Sequence, residues 1–453
     1  MKIDSRLLGR FVVGGLAVAL TYYFGFYKPQ LDEPNADVPG TFVRDVDATV
    51  ADRQPTAGDE SLVSSTGLDA ELVDLNNRAM ASYRDEKYEQ AFKIMQDLFE
   101  QFPEAGEQYG LNASRLAGHW ARQLEDLYRH QEAAIVLRQA LEWHGDGGAP
   151  YVLLAKLLLT GAKVDEARAI VEQGMHEFAD NHRLIALMAD ISSIQGDVER
   201  AVVLMTQALN QNPNNEFYAN KLLQFETEAK VFVNYLSAST AHFESNFDAQ
   251  NRSMVRNIDD LQQDLERAWS DISNHLGVSN QRRIVVLWLA KEDYQAQAPD
   301  WSLGVYDGRI RIVVDDYPES RPQLLATLKH ELTHAILHST GLRIPTFVQE
   351  GLAQMYEPRN VDLVRKSYLH GELPELSELE GQWTSWQNVE QVQSAYAYSL
   401  SLCHFVRERY GQNAFVLLLE NLRNTSFQEA WTATFGDTLQ DSDLLHRKFL
   451  NNI

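Results

Sequence analysis

Cysteine is nearly absent from this chain: Cys403 is the single one among 453 residues. No intramolecular disulfide and no cysteine-built metal cluster can form, and the count fits an oxidising or a reducing compartment equally well. Positive charge is also scarce. Lys and Arg number 40 against 64 Asp and Glu, a formal net charge of -24, which argues against a surface built to follow a phosphate backbone. Nucleic acid is therefore not an expected partner. The length suggests two or three domains.

Charge is missing altogether from FVVGGLAVALTYYFGFY, residues 11–27, which Lys2, Arg6 and Arg10 precede. The run nearly matches the hydrocarbon thickness of a bilayer, and basic residues upstream place the N-terminus in the cytoplasm. Residues 1–30 are thus expected to be a signal anchor in a cell inner membrane, with the rest on the periplasmic or extracytoplasmic side. A cleaved signal peptide is one alternative, since Ala17 to Ala19 carry the small-x-small pattern, though cleavage there leaves the apolar LTYYFGFY on the mature end; a buried helix of a cytosolic protein is the other. Residues 31–70 are acidic, rich in Pro, Thr, Ser and Gly, and read as a disordered linker. Such a tether reaches roughly 35 Å.

From residue 71 the period becomes helical, and a longer one is superimposed on it. Ala133, Ala167 and Ala201 are 34 residues apart. Small residues recur seven places later at Ala140, Gly174 and Ala208, and Leu137, Val171 and Met205 stand between. Ala155 and Ala189 precede two of these alanines by twelve residues. A further unit around Ala79, Ala91, Met95 and Leu98 is offset from Ala133 by 42, which predicts an insertion. The pattern resembles the tetratricopeptide repeat, with Pro103 and Pro213 at the terminal position. An unrelated bundle would not explain the period. The resemblance implies an α-solenoid over 71–238, whose concave groove presents itself to a protein partner.

The pattern changes again near residue 240. A long helix is expected near 250–276 and a strand in RIVVLWLA, 283–290. Asp307-Gly308 signals a tight turn, and Arg309 to Ile312 alternate as a half-buried strand does. Ser320 or its neighbour is expected to cap a helix from Pro322 to about His338, which Gly341 ends. That helix carries His330-Glu331-Leu-Thr-His334. Residues four apart on a helix project side by side, so two imidazoles can reach one metal ion. A carboxylate at Glu331 can take a proton from metal-activated water. Two histidines do not complete a zinc site, and Glu350, sixteen residues after His334, is the candidate third ligand. It stands in IPTFVQEGLAQMYE, where Thr346 and Gln349 suggest a capping box starting a second helix at Phe347. Glu350 would face outward from its first turn.

HELTH followed by FVQEGLA resembles the gluzincin metallopeptidases, in particular the peptidase MA-like domains that follow tetratricopeptide repeats in some bacterial envelope proteins. The resemblance runs over 239–453, with Phe347, Glu350, Gly351 and Ala353 matching the second signature. It implies one Zn2+ held by His330, His334 and Glu350, with Glu331 as general base. It also implies that the strand of GRIRIVV edges the cleft, where an extended substrate adds by backbone hydrogen bonds. A tyrosine on a later helix would donate to the oxyanion, and Tyr396 matches that element better than Tyr398. Metzincins, the rival class, need a glycine and a histidine where this chain has Leu337 and Thr340. His338 lies at the wrong offset and reads as a helix-end histidine. His404 and Cys403 read as structural.

The expected fold class is α+β: a solenoid of repeats followed by a zincin-like domain with a small sheet and active-site helices. The expected function is a membrane-anchored zinc metallopeptidase acting on a protein or peptide substrate that the repeats recruit. The alternative is a non-enzymatic scaffold with an inactive peptidase-like domain.

Overall fold

The computed structural model describes residues 63–451, apart from 128, 144–147, 280–282, 296–302, 315–316, 318, 358–372, 380–382 and 384–387. The expected membrane segment lies outside the described residues, as does most of the tether. Among those described, no helix is long and apolar enough to cross a membrane.

The protein is mostly helical with one small mixed sheet. Among the described residues, nine α-helices come first: α1 (Val63–Arg84), α2 (Tyr88–Gln101), α3 (Gly106–Asp126), α4 (His130–Glu142), α5 (Ala149–Thr160), α6 (Val164–Glu177), α7 (His182–Ile194), α8 (Val198–Gln211) and α9 (Glu216–Phe232). Each position in the 34-residue pattern has a packing reason. Ala133, Ala167 and Ala201 are wholly buried, as are Leu137, Val171 and Met205 between the small residues. A Cβ on Gly174 would come within 2.9 Å of the Tyr151 ring, so close helix approach selects small residues at that position. The insertion is explained by length, since α3 has 21 residues against 13 in α7. Pro103 opens a 3₁₀ turn after α2, where its missing N–H costs no helical bond.

Compactness divides the described residues into one unit of 63–159 and 164–188 and another of 160–163 and 189–451. In the second unit, α8 packs on α9 and the sheet follows. Its strands are β1 (Tyr235–Ser239), β2 (Phe243–Asp248), β3 (Ile284–Leu289), β4 (Gly304–Tyr306) and β5 (Ile310–Val313), in the order β1-β2-β3-β5-β4. β2, β3 and β5 are mutually parallel, while β1 and β4 run antiparallel at the two edges. Helix α10 (Arg252–Leu276) makes the crossover from β2 to β3, as parallel neighbours require. Its cap is Asn251, whose side chain accepts from the Met254 N–H.

Two strand expectations need correction. β5 is not half-buried: Arg309 and Arg311 are 2% and 4% exposed, because Glu228 of α9 pairs with both. Nor does β5 form the edge, which belongs to its hairpin partner β4. Beyond the short α11 (Lys291–Gln295) come α12 (Arg321–Ser339) and α13 (Thr346–Met355), then α14 (Leu376–Leu379), α15 (Val389–Tyr410), α16 (Ala414–Asn421), α17 (Phe427–Phe435) and α18 (Leu439–Asn451). α12 begins as predicted, although Ser320 makes no side-chain cap bond. The expected capping box on α13 does not form. Pro345 is the cap and lacks the N–H that the box needs. Gln349 donates instead to the Ile344 carbonyl.

Candidate metal centre

Three elements build the centre. α12 presents His330 and His334 one turn apart, α13 packs across it with Glu350, and α15 lies along α13. That last contact depends on Gly351: a Cβ there would lie 2.4 Å from both the Cys403 sulfur and the Ser399 carbonyl oxygen. A side chain would push α13 off α15 and carry Glu350 with it. Cys403 is thus a packing residue, with its sulfur 3.8 Å from the Val348 carbonyl.

Glu350 does not face outward. It is wholly buried and points at the histidines, which offset the cost of burying a carboxylate. His330 Nε2 stands 3.2 Å from His334 Nε2 and 3.4 Å from Glu350 Oε2, and His334 Nε2 lies 3.6 Å from Glu350 Oε1. Ligands on a tetrahedral zinc ion stand about 3.3 Å apart. The described residues hold no other such group.

Glu357, which the motif reading missed, completes the surroundings. Its Oε1 lies 2.7 Å from His330 Nδ1. A carboxylate only accepts, so His330 Nδ1 carries a proton, and with an ion bound the Nε2 lone pair would be directed into the centre. At 3.2 Å the two Nε2 atoms need a proton or a metal cation between them, one nitrogen donating to the other when no ion is bound. Electrostatics point the same way. Burial opposes a charge on His330, yet the carboxylates of Glu350 and Glu357 outweigh it and hold its proton up to about 10. Burial likewise raises Glu350, but His334 and His330 prevail and keep it lowered. The cluster is built to hold positive charge, and its two imidazoles and one carboxylate are a donor set that fits zinc.

Glu331 differs from its neighbours. It is wholly buried, and neither of its oxygens has a hydrogen-bond partner among the described residues. Burial pushes its carboxyl up to about 7, against the pull of His330 and His334. The oxygens of Glu350 also lack a hydrogen bond among the described residues, but they face the two histidines at 3.4 and 3.6 Å; Glu331 has no such pairing and is placed to accept a proton from a small molecule.

The remaining candidates separate clearly. Tyr398 donates its hydroxyl to Asp443 and is committed there. Tyr396, one turn before Ser399, is buried with its ring edge-on to Trp383, and its carbonyl accepts from Gln354. Gln354 also donates to the Glu350 carbonyl, which ties α15 to the ligand helix. His338 is turned away from the cluster to Tyr306, with Nδ1 and the phenol oxygen 2.7 Å apart. His404 lies 3.0 Å from the Arg407 guanidinium. Only Glu357 had a signal available in the sequence: it follows Glu350 by seven residues, two helical turns.

Because Glu357 fixes the tautomer of His330, Glu357→Gln is expected to weaken metal binding about 10–100-fold without abolishing it. A zinc titration against a chromophoric chelator measures this; equal affinity in the variant would show that Glu357 does not orient the ring.

A family model for the tetratricopeptide repeat matches residues 126–191, which contain α4 to α6 and most of α7. None of the curated proteins matches the chain. Repeats of this kind mediate protein–protein contacts, so the matched region points to a protein partner.

Proposed function

We propose that this protein is a membrane-anchored zinc metallopeptidase of the gluzincin type, its zincin-like domain following a repeat region that recruits a protein substrate or partner. One observation supports this above the rest: three ligand atoms converge in a buried cluster at tetrahedral spacing beside a buried carboxylate that nothing satisfies. His330, His334 and Glu350 would hold the ion. Bound there, zinc supplies a Lewis acid that polarises a carbonyl and makes water a nucleophile near neutral pH.

The chain's own residues do the rest. Glu331 accepts the proton of the attacking water and returns it to the leaving amine, for which a carboxyl raised to about 7 is well matched. Glu350 and Glu357 keep His330 oriented from two sides. Of the two candidate tyrosines, Tyr396 is the proposed donor to the oxyanion, since Tyr398 is engaged by Asp443.

A second reading, a scaffold whose repeats bind partners and whose centre does no chemistry, draws on the repeat match alone. Elemental analysis of the purified protein separates the two. About one zinc per chain is expected, and none after reconstitution would leave the scaffold.

The anchor is proposed independently, on residues 11–27. Deletion of residues 1–30 is expected to move the protein from the membrane pellet to the soluble fraction with its helical circular dichroism intact. Pelleting of the truncated protein in high salt would show that something else holds it.

A further inference from the structure

The hairpin β4–β5 carries a second buried ion cluster, at a distance in sequence from the metal centre. Arg309, in the turn, donates from Nη2 to Ser193 Oγ of α7 at 2.9 Å and to Glu228 Oε2 of α9 at 2.8 Å. Arg311 pairs with Glu228 Oε1 at 2.5 Å and with Asp307 at 3.1 Å. Two arginines thus face two carboxylates, and three of the four groups are no more than 4% exposed. The turn itself uses Gly308 at φ +100°, with Ile194 of α7 against it.

Stability alone is a poor reason for such a cluster, since apolar packing of equal volume usually serves as well. Charge-assisted hydrogen bonds offer direction instead. What they direct is visible on the far side of the hairpin. β4 is only three residues long and is bonded to the sheet through β5 alone. Yet it lies flat on α12: a Cβ on Gly304 would stand 2.6 Å from the Thr327 methyl and 3.1 Å from Glu331 Cγ. Gly304 therefore forms one wall of the Glu331 side chain. Tyr306 ties β4 to α12 through its hydroxyl, 2.7 Å from His338 Nδ1, and the strand otherwise takes its place from its hairpin partner β5.

We infer that Arg309, Glu228 and Ser193 are positioning residues for Glu331: they pin the β4–β5 hairpin to the helices α7 and α9, and the pinned hairpin fixes the wall against which Glu331 stands. The inference rests on the metallopeptidase reading for its importance to catalysis, but its geometry stands apart from it. It makes α9 and the last residues of α7, 189–194, a working part of the unit that contains the metal centre. Release of the hairpin would free the Glu331 carboxylate and admit solvent to it, while the ligands, carried by α12 and α13, stay in place.

The test compares the full-length protein with Ser193→Ala and Arg309→Met. Four quantities are read: amide exchange over residues 303–313 and over α17 and α18, labelling of Glu331 by glycine ethyl ester with a water-soluble carbodiimide, zinc per chain, and the melting temperature. Losing a hydrogen bond to a charged group is expected to speed hairpin exchange about tenfold. Glu331 labels several-fold faster in both variants, exchange over α17 and α18 is unchanged, and zinc content equals the parent's. A cluster that merely adds stability would lower the melting temperature and leave Glu331 as protected as before, which overturns the inference. Should Arg309→Met fail to fold, Ser193→Ala, which removes one neutral hydroxyl, decides the question by the same readouts. Absence of zinc from the parent would reject the metallopeptidase reading alone, since hairpin exchange and Glu331 labelling are read without it.

Discussion

Glu331→Gln is expected to abolish hydrolysis while leaving zinc bound. The amide matches the carboxylate in size, but it cannot accept a proton, and general-base catalysis of this kind contributes about 10²–10⁴-fold. Labelled casein or a peptide library, read beside elemental analysis, gives turnover and metal content on the same samples. Stability should move the opposite way from activity. The wild-type carboxyl is wholly buried with both oxygens unsatisfied, and an uncompensated buried group costs about 1–3 kcal/mol. A neutral amide in that volume is easier to bury, so the metal-free variant should melt no lower than the metal-free parent. Such a trade is the mark of a residue kept for chemistry. Full turnover in the variant would remove Glu331 from the mechanism, and loss of zinc would make it a ligand instead.

Loss of metal is the expected result for His334→Ala and Glu350→Ala. Each removes one of three donors whose atoms lie within 4.8 Å of one another, and the remaining pair cannot complete a zinc site. The fall in affinity should exceed the 10–100-fold expected for an outer residue such as Glu357. The two variants differ in what they leave behind. Without Glu350, the two imidazoles keep their 3.2 Å contact and His330 keeps Glu357, so the apo form loses the carboxylate that faced both rings. Without His334, Glu350 keeps its contact with His330, and the cavity left on α12 is the main cost. Thermal melts with and without added zinc check this. Parent stability should rise by about 4 kcal/mol at a thousandfold excess over Kd, and neither variant should respond. A zinc response in Glu350→Ala equal to the parent's would show that the third ligand lies elsewhere.

How much of this was legible beforehand depends on the range of the interaction concerned. The alanines of the repeat are found buried, because a small residue at a helix crossing is required by the geometry of the crossing itself. The helix bearing His330 and His334 begins and ends close to the expected residues, since proline and glycine act on their own turn of chain. Errors came where a local signal met a distant partner. The alternation of Arg309 to Ile312 suggests a solvated face, but Glu228, some eighty residues earlier, turns that face inward. Thr346 and Gln349 have the spacing of a capping box, yet Pro345 occupies the cap and Gln349 bonds outside it.

The sequence by itself determined the repeat period, the helical character of the chain and the shared face of His330 and His334, because each follows from spacings within a few turns of helix. Glu350 is named as the histidines' third partner by its place in FVQEGLA; tertiary structure alone decided that Glu357 sets the His330 tautomer and that β4 rather than β5 forms the sheet edge beside Glu331. Those facts depend on how α13 and the β4–β5 hairpin pack on α12. Packing joins residues far apart in the chain, and no local spacing encodes it.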